Sequence, residues 1–260
     1  MQAIPPIFIS HGSPMLLLEP GRAGPAWQAL AQQLPRPRAI LAVSAHWTRP
    51  APAVSTATQP ATIHDFHGFP QALYELDYPA PGAADLAAMV VELLPGVEID
   101  RQRGLDHGAW SPLRFMYPAA DIPVIQLAVM PQADAESHYR LGQALRMLTR
   151  RGVLLLASGG LTHNLRDLVV DAADGAALPY VAEFRQWFVD ALQRRDLPAL
   201  FAWHRQAPHA ARAHPSPEHL LPLFVALGAA ADQAELRSVF SDCQLGALAL
   251  DAFVFGAGAD

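Results

Sequence analysis

Four short apolar runs occur along the chain, and each ends abruptly in small or polar residues. Within each run the apolar residues are consecutive rather than alternating, which is typical of strands that are buried on both faces of a sheet. The runs also contain β-branched residues and have the length of a strand. We therefore predict strands at Ile4–Ile9, Ala39–Val43, Pro123–Val129 and Gly152–Ala157.

The segments between these runs carry apolar residues at helical spacing. We predict helices at Ala23–Gln33, Ala83–Leu94, Ala135–Arg150 and Tyr180–Arg194, and one more that begins near Ser216. In this last helix Ser216 would be the N-cap, with Pro217 at the first helical position. Strands that alternate with helices predict an α/β fold, in which helices flank a mainly parallel or mixed central sheet. No linker divides the chain, so we expect a single catalytic domain over residues 1–260.

The composition restricts the classes of function. Of the 260 residues, 52% are hydrophobic and 16% are charged, which predicts a sizeable core and argues against disorder. The net charge of −6 and the lack of a basic stripe argue against nucleic-acid binding. All 18 basic residues are arginines, which excludes Schiff-base and lysine-nucleophile chemistry. Neither a signal peptide nor a membrane span is evident, so we expect a cytoplasmic protein without membrane association.

Histidines follow three of the predicted strands, namely His11, His46 and, slightly later, His163. In open α/β sheets, ligands bind outside the carboxyl ends of the strands. Neutral imidazole is a good ligand for zinc and ferrous iron. The pattern predicts a metal site at the carboxyl ends of the strands, although a histidine that merely ends a strand is the alternative at each position.

A loop near residues 64–70 carries two more histidines, His64 and His67. Asp65 lies between them and could orient either ring, while Phe66 and Phe69 could form part of a pocket wall. We take His64, His67 and Phe69 as candidate substrate-binding residues. A solvated turn is the alternative interpretation of this loop.

Two further histidines have contexts that suggest chemistry. His107 lies between Gly104 and Gly108, which indicates a backbone that bends close to another group. It could be a general acid or base, a substrate hydrogen-bond donor, or part of a structural turn. His219 would lie in the first turn of the last helix, where the helix dipole disfavours a protonated imidazole and so favours metal ligation.

Six motifs, in order over nearly the whole chain, resemble the DODA-type (4,5-DOPA dioxygenase-like) branch of the LigB superfamily of class III extradiol ring-cleaving dioxygenases. They are HGSPM at His11–Met15, SAHW at Ser44–Trp47, TIHDFHGFPQALYELDYPAPG at Thr62–Gly82, GLDHGAWSPL at Gly104–Leu113, ASGGLTHNL at Ala157–Leu165 and PSPEHLLPLFVALGA at Pro215–Ala229.

This resemblance implies a single non-haem Fe(II), a catechol substrate that binds through both oxygens, and O₂ as the second substrate. The metal ligands would be His11, His46 and His219. His163 would lie at the same metal, either as a further ligand or as the catalytic base that deprotonates the catechol. His107 would be the second catalytic acid/base group.

Three alternatives remain open on the sequence. Glu218 could be the third ligand instead of His219, and an all-histidine site also suits Zn(II). With zinc, the chain could be a hydrolase whose metal-activated water attacks an ester or amide. It could also be a non-enzymatic interaction protein, as Memo-like members of the same superfold are not established dioxygenases.

Overall fold

One eight-stranded mixed sheet lies at the centre of the computed structural model, which describes residues 2–173 and 175–256. In spatial order its strands are β4 (Glu98–Asp100), β3 (Ala53–Ser55), β5 (Val124–Val129), β2 (Ala39–Thr48), β6 (Val153–Gly159), β1 (Ile7–Ser10), β10 (Ala252–Phe255) and β7 (Leu236–Phe240). The four central strands, β5, β2, β6 and β1, are mutually parallel, whereas β10 pairs antiparallel with β1 and β7 pairs antiparallel with β10. β8 (Cys243–Gln244) and β9 (Leu248–Ala249) form a separate antiparallel pair.

Helices cover both faces of this sheet. Their bounds are α1 (Ala23–Gln33), α2 (Gln71–Tyr74), α3 (Ala84–Leu93), α4 (His107–Met116), α5 (Ala135–Arg150), α6 (Pro179–Gln193), α7 (Leu197–Phe201), α8 (Trp203–Gln206), α9 (Ala210–Ala213) and α10 (Leu221–Ala229). Alternate side chains of the central strands enter two separate cores. Leu41 belongs to the core that includes residues of α3, α5, α6 and α10, and Ile40 belongs to the core that includes residues of α1 and α4. The predicted α/β fold class and mixed central sheet are confirmed. The ends of the predicted 1–260 domain, Met1 and residues 257–260, lie outside the described residues, as does Asp174.

Four of the predicted helices are confirmed to within one residue at each end, whereas three of the predicted strand ends are wrong. β6 ends at Gly159 instead of Ala157. β1 begins at Ile7 instead of Ile4, because the two prolines before it lack the N–H groups that a ladder needs. β2 continues to Thr48 instead of stopping at Val43. Its pairing with β5 is irregular, since Ser44 and Thr48 face consecutive residues of β5. The residues between them, which include His46, therefore form a bulge.

The last helix begins at Leu221, four residues after Pro217, the predicted first helical position. The Ser216 hydroxyl donates to the Glu218 carboxylate, and no capping bond from Ser216 to the backbone is present. Residues 217–220 form a turn instead, in which the backbone N–H groups of Leu220 and Leu221 both bond to the Pro217 carbonyl. His219 therefore lies in this turn, before the helix, and not in its first helical turn.

α10 is buried along its whole length and packs closely against α5. At Gly228 the backbones of the two helices meet, because a Cβ atom there would lie 1.9 Å from the Tyr139 carbonyl oxygen. This close approach fixes α10 against α5, and with α10 the turn that carries His219. Among the described residues, no helix combines the length and the apolar character that a membrane span requires.

We expect Gly228→Ala to lower the free energy of unfolding by about 1–3 kcal/mol, because the added methyl group must push the two helices apart. Chemical denaturation of the metal-free protein measures this change. Gln143→Ala, an exposed substitution on α5, is the control and should change stability by less than about 0.5 kcal/mol. Equal stability of the two variants would contradict the close backbone contact.

Candidate metal centre

Three imidazole rings converge at the carboxyl ends of the central strands. His11 directly follows β1, His46 lies in the bulge of β2, and His219 lies in the turn before α10. The Nε2 atom of His46 is 3.1 Å from that of His11 and 3.3 Å from that of His219. The ligand atoms of the three histidines all lie within 4.8 Å of one another. The structure therefore has a group of three histidines that could hold a metal ion at the predicted position, the carboxyl ends of the strands.

The outer nitrogens of two of these rings have protein acceptors. The Nδ1 atom of His11 is 2.9 Å from the hydroxyl oxygen of Ser158. That hydroxyl donates its own proton to the Gly108 carbonyl, so its oxygen must accept from His11. The Nδ1 atom of His219 is 3.1 Å from the Glu218 carboxylate. Both histidines therefore carry their proton on Nδ1.

Asp65 contacts the third ring and also His107. Its Oδ1 accepts from the backbone N–H of His107 at 2.8 Å and from the Nδ1 atom of the same residue at 3.0 Å. Its Oδ2 is 3.1 Å from the Nδ1 atom of His46, which it meets obliquely. Oδ2 is shielded from solvent, and no group of the described residues meets it with full hydrogen-bond geometry. A buried carboxylate oxygen needs a donor, and the Nδ1–H of His46 is the one at hand.

Burial sets the protonation of the cluster. It lowers the pKa of His11 and of His219 well below 6.5, and the neighbouring histidines lower both further. Burial also lowers the pKa of His107, although the hydrogen bond to Asp65 raises it in part. Burial would raise the pKa of the Asp65 carboxyl, but its contacts with His107 and His46 hold that pKa well below its usual range. His11, His107 and His219 are therefore neutral imidazoles at pH 7, and the carboxylate of Asp65 is ionised.

These observations test whether the cluster fits a metal ion. With His46 in the same tautomer as His11 and His219, which its contact with Asp65 favours, three Nε2 lone pairs face one another. Such an arrangement is repulsive by itself, whereas a cation at the centre would be attracted to all three. Neutral imidazoles whose outer N–H groups are held by the protein are the usual donors for a divalent transition metal. The residues present therefore fit one such ion.

His163 lies beside this cluster without entering it. Its ring stacks on that of His219, with the centroids 3.4 Å apart and the planes within 5°. Its ligand atom groups with those of Glu218 and His219, not with those of His11 and His46. Burial, together with the neighbouring His214, lowers the pKa of His163 to about 4. His163 is therefore neutral at pH 7 and is available as a proton acceptor.

The loop that carries the candidate substrate-binding residues is only partly at the site. Phe66 packs against the His107 ring with the centroids 5.5 Å apart, and Phe69 packs against Phe66 at the same distance. His64 donates from Nε2 to the Leu76 carbonyl at 2.8 Å. His67 is exposed to solvent. Of this loop, Phe66 is the residue whose ring packs directly against His107, and Phe69 lies behind it.

Sequence reasoning missed Asp106, a fully buried carboxylate directly before His107. It caps α4 through the backbone N–H of Ala109 and accepts from the hydroxyl of Ser44 at 2.6 Å. Arg103 and Gln126 donate to its other oxygen at 2.6 and 2.8 Å. An aspartate at a helix N-cap was a signal that could have identified it. Through these bonds Asp106 joins the start of α4 to β2.

The comparisons with known proteins agree with this geometry. Residues 5–248 match the family model described as the catalytic LigB subunit of aromatic ring-opening dioxygenase. The 4,5-DOPA dioxygenase extradiol of Beta vulgaris is 39% identical over 256 residues, which are 95% of this chain and 95% of that protein. The protein of the same name from Escherichia coli (strain K12) is 38% identical, over 95% of this chain and 93% of its own.

A solved structure shows the same fold. The crystal structure of an uncharacterized protein from Escherichia coli K12 matches with a TM-score of 0.83 and 33% sequence identity. The match covers 97% of this chain and 100% of that chain. The resemblance carried by the six motifs is thereby confirmed over nearly the whole length of the protein. The chain belongs to the LigB family of aromatic ring-opening extradiol dioxygenases.

Proposed function

We propose that this chain opens a catechol ring by extradiol cleavage with O₂, at one Fe(II) held by His11, His46 and His219. The observation that carries the proposal is the convergence of three Nε2 atoms. The Nδ1 atoms of His11 and His219 are hydrogen-bonded to protein acceptors, and that of His46 lies 3.1 Å from the Asp65 carboxylate. Iron with three protein ligands keeps positions open for both substrate oxygens and O₂. The relatives named 4,5-DOPA dioxygenase favour 3,4-dihydroxyphenylalanine or a related catechol as the substrate.

Glu218 has a different role in this proposal. Its carboxylate contacts the outer nitrogen of His219 and also accepts from the Ser216 hydroxyl. It is therefore engaged in holding the imidazole, and His219 supplies the donor atom to the three-histidine cluster. We assign His219 as the third ligand and Glu218 as the residue that orients it.

Two neutral histidines supply the proton transfers. His163 stacks on a ligand ring and is the base that accepts a proton from a catechol hydroxyl. His107 has its Nδ1 proton directed at Asp65, so its Nε2 can accept a proton and return it later as the second acid/base group. Its ring centroid is 4.0 Å from that of His46, which places it beside the same centre. Phe66 and Phe69 form an apolar wall next to His107, against which an aromatic ring can pack.

A zinc hydrolase is the second candidate, because three neutral imidazoles bind Zn(II) as well as Fe(II). The protein loaded anaerobically with Fe(II) should consume O₂ with a catechol and form a yellow ring-opened product. Oxygen-electrode traces and absorbance spectra over a panel of catechols measure both. If no catechol gives O₂ uptake or a yellow product, the dioxygenase proposal is wrong. Ester hydrolysis by the zinc-loaded protein would then favour the hydrolase.

His163→Ala should lower kcat by about 10²–10⁴-fold and leave the metal content near that of the wild type, because a base is lost and no ligand is. Metal analysis and O₂ uptake on the same sample separate the two roles. His204→Ala, an exposed histidine of α8, serves as the matched control. Loss of the metal from the His163→Ala variant would instead make His163 a ligand.

The neutral state of the buried histidines can be observed directly. In metal-free protein the imidazole signals of His11 and His219 should not titrate around pH 6.5, because burial lowers the pKa of both imidazoles well below that value. His163 should titrate near pH 4, in accord with its lowered pKa. NMR titration measures these midpoints, with His→Asn variants for assignment. A midpoint near 6.5 for His11 or His219 would contradict the burial argument.

A further inference from the structure

One carboxylate, that of Asp65, contacts two imidazoles to which the proposed function gives different tasks. We propose that Asp65 is a positioning residue that fixes the metal-binding tautomer of His46 and the proton-accepting tautomer of His107 at the same time. The proposal rests on the proposed function for the task of His107. The tautomers themselves follow from the contacts of Asp65.

The two oxygens of Asp65 are committed to different partners. Oδ1 faces two N–H groups of His107, one from the backbone and one from the ring. Oδ2 faces the Nδ1 atom of His46 at 3.1 Å. An ionised carboxylate can only accept hydrogen bonds, so both rings must present a proton on Nδ1. The Nε2 atom of each ring is then left with a lone pair.

An amide at position 65 could not serve both partners. Its carbonyl oxygen would have to stay on the side of His107, because the opposite orientation would set an NH₂ group against two N–H donors. The NH₂ group would then face the Nδ1 atom of His46. A donor at that place favours the tautomer of His46 with its proton on Nε2, and such an imidazole has no lone pair on the nitrogen that faces the other two ligands.

The loop around Asp65 has other anchors, so its position does not depend on this carboxylate. The Trp110 indole donates to the Ile63 carbonyl at 3.0 Å, and the Ile63 N–H donates to the Leu105 carbonyl at 2.8 Å. His64 is bonded to the Leu76 carbonyl. Phe66 is buried. Asp65→Asn should therefore leave the loop in place and change only the character of one hydrogen-bonding atom.

Glu218 offers a matched comparison on another ligand. One of its oxygens, Oε1, accepts both from His219 and from the Ser216 hydroxyl. A glutamine there can keep its carbonyl oxygen on these donors and turn its NH₂ group away from them. Asp77→Asn is the control for charge, since Asp77 is exposed on the segment that follows the loop and contacts none of the cluster.

The test measures zinc affinity by competition with a chelator, so it needs no turnover. Asp65→Asn should lose about 10- to 100-fold in affinity, the range typical of residues that orient a metal ligand. Glu218→Gln should lose less than Asp65→Asn, and Asp77→Asn should bind zinc as the wild type does. Long-range ¹H–¹⁵N spectra of the metal-free proteins should show His46 with its proton on Nδ1 in the wild type and on Nε2 in Asp65→Asn. His107 should keep its proton on Nδ1 in both.

Several results would overturn the proposal. They are wild-type zinc affinity in Asp65→Asn, an equal loss in Glu218→Gln or Asp77→Asn, and a His46 tautomer that the substitution does not change. The wild-type spectrum also tests it without any variant, because a proton on Nε2 of either histidine contradicts the inference even if Asp65→Asn fails to fold. A protein that shows the expected zinc affinities and tautomers but consumes no O₂ would contradict only the proposed dioxygenase activity.

Discussion

Three imidazole lone pairs directed at one point are the constraint on which the rest of the site depends. Each ring can present Nε2 inward only if its Nδ1 proton has an acceptor on the outside. Ser158, Asp65 and Glu218 are these acceptors, and each comes from a different part of the chain. The Ser158 oxygen accepts only because its own proton is donated to the Gly108 carbonyl. The orientation of the three imidazole rings is thus set by residues that surround them and do not themselves face the metal position.

The sheet brings the ligand candidates and their hydrogen-bond acceptors together because its central strands are parallel. The carboxyl ends of β1, β2 and β6 meet at one edge and supply His11, His46 and Ser158. The remaining ligand candidate comes from outside the sheet and needs close contact with it. The Gly160 N–H at the end of β6 bonds to the His219 carbonyl at 2.9 Å, and a Cβ atom at Gly159 would lie 2.0 Å from that oxygen. A glycine at this strand end is what allows His219 to reach the cluster.

Sequence patterns could predict the interior of the fold and the identity of the clustered histidines, but not how the side chains are aimed. α1 and α5 were predictable because their apolar periodicity is local. The extension of β2 through its bulge was not, since pairing with β5 decides it and the polar residues after Val43 suggested an end. The start of the last helix was misplaced because Ser216 binds Glu218 instead of capping the backbone. Partners distant in sequence, such as Ser158 for His11, leave no local signal.

The charge of the site favours a substrate that arrives neutral. A divalent ion would add two positive charges, and the ionised carboxylates of Asp65 and Glu218 next to its ligands would balance them. Under the proposed function, a catechol that entered as a neutral molecule and gave a proton to His163 would move charge within the site without changing the total. Because transfer of net charge into a buried site is costly, this balance favours a neutral diol together with a neutral base. The low pKa of His163 fits the same argument, since it keeps that imidazole uncharged until the substrate supplies the proton.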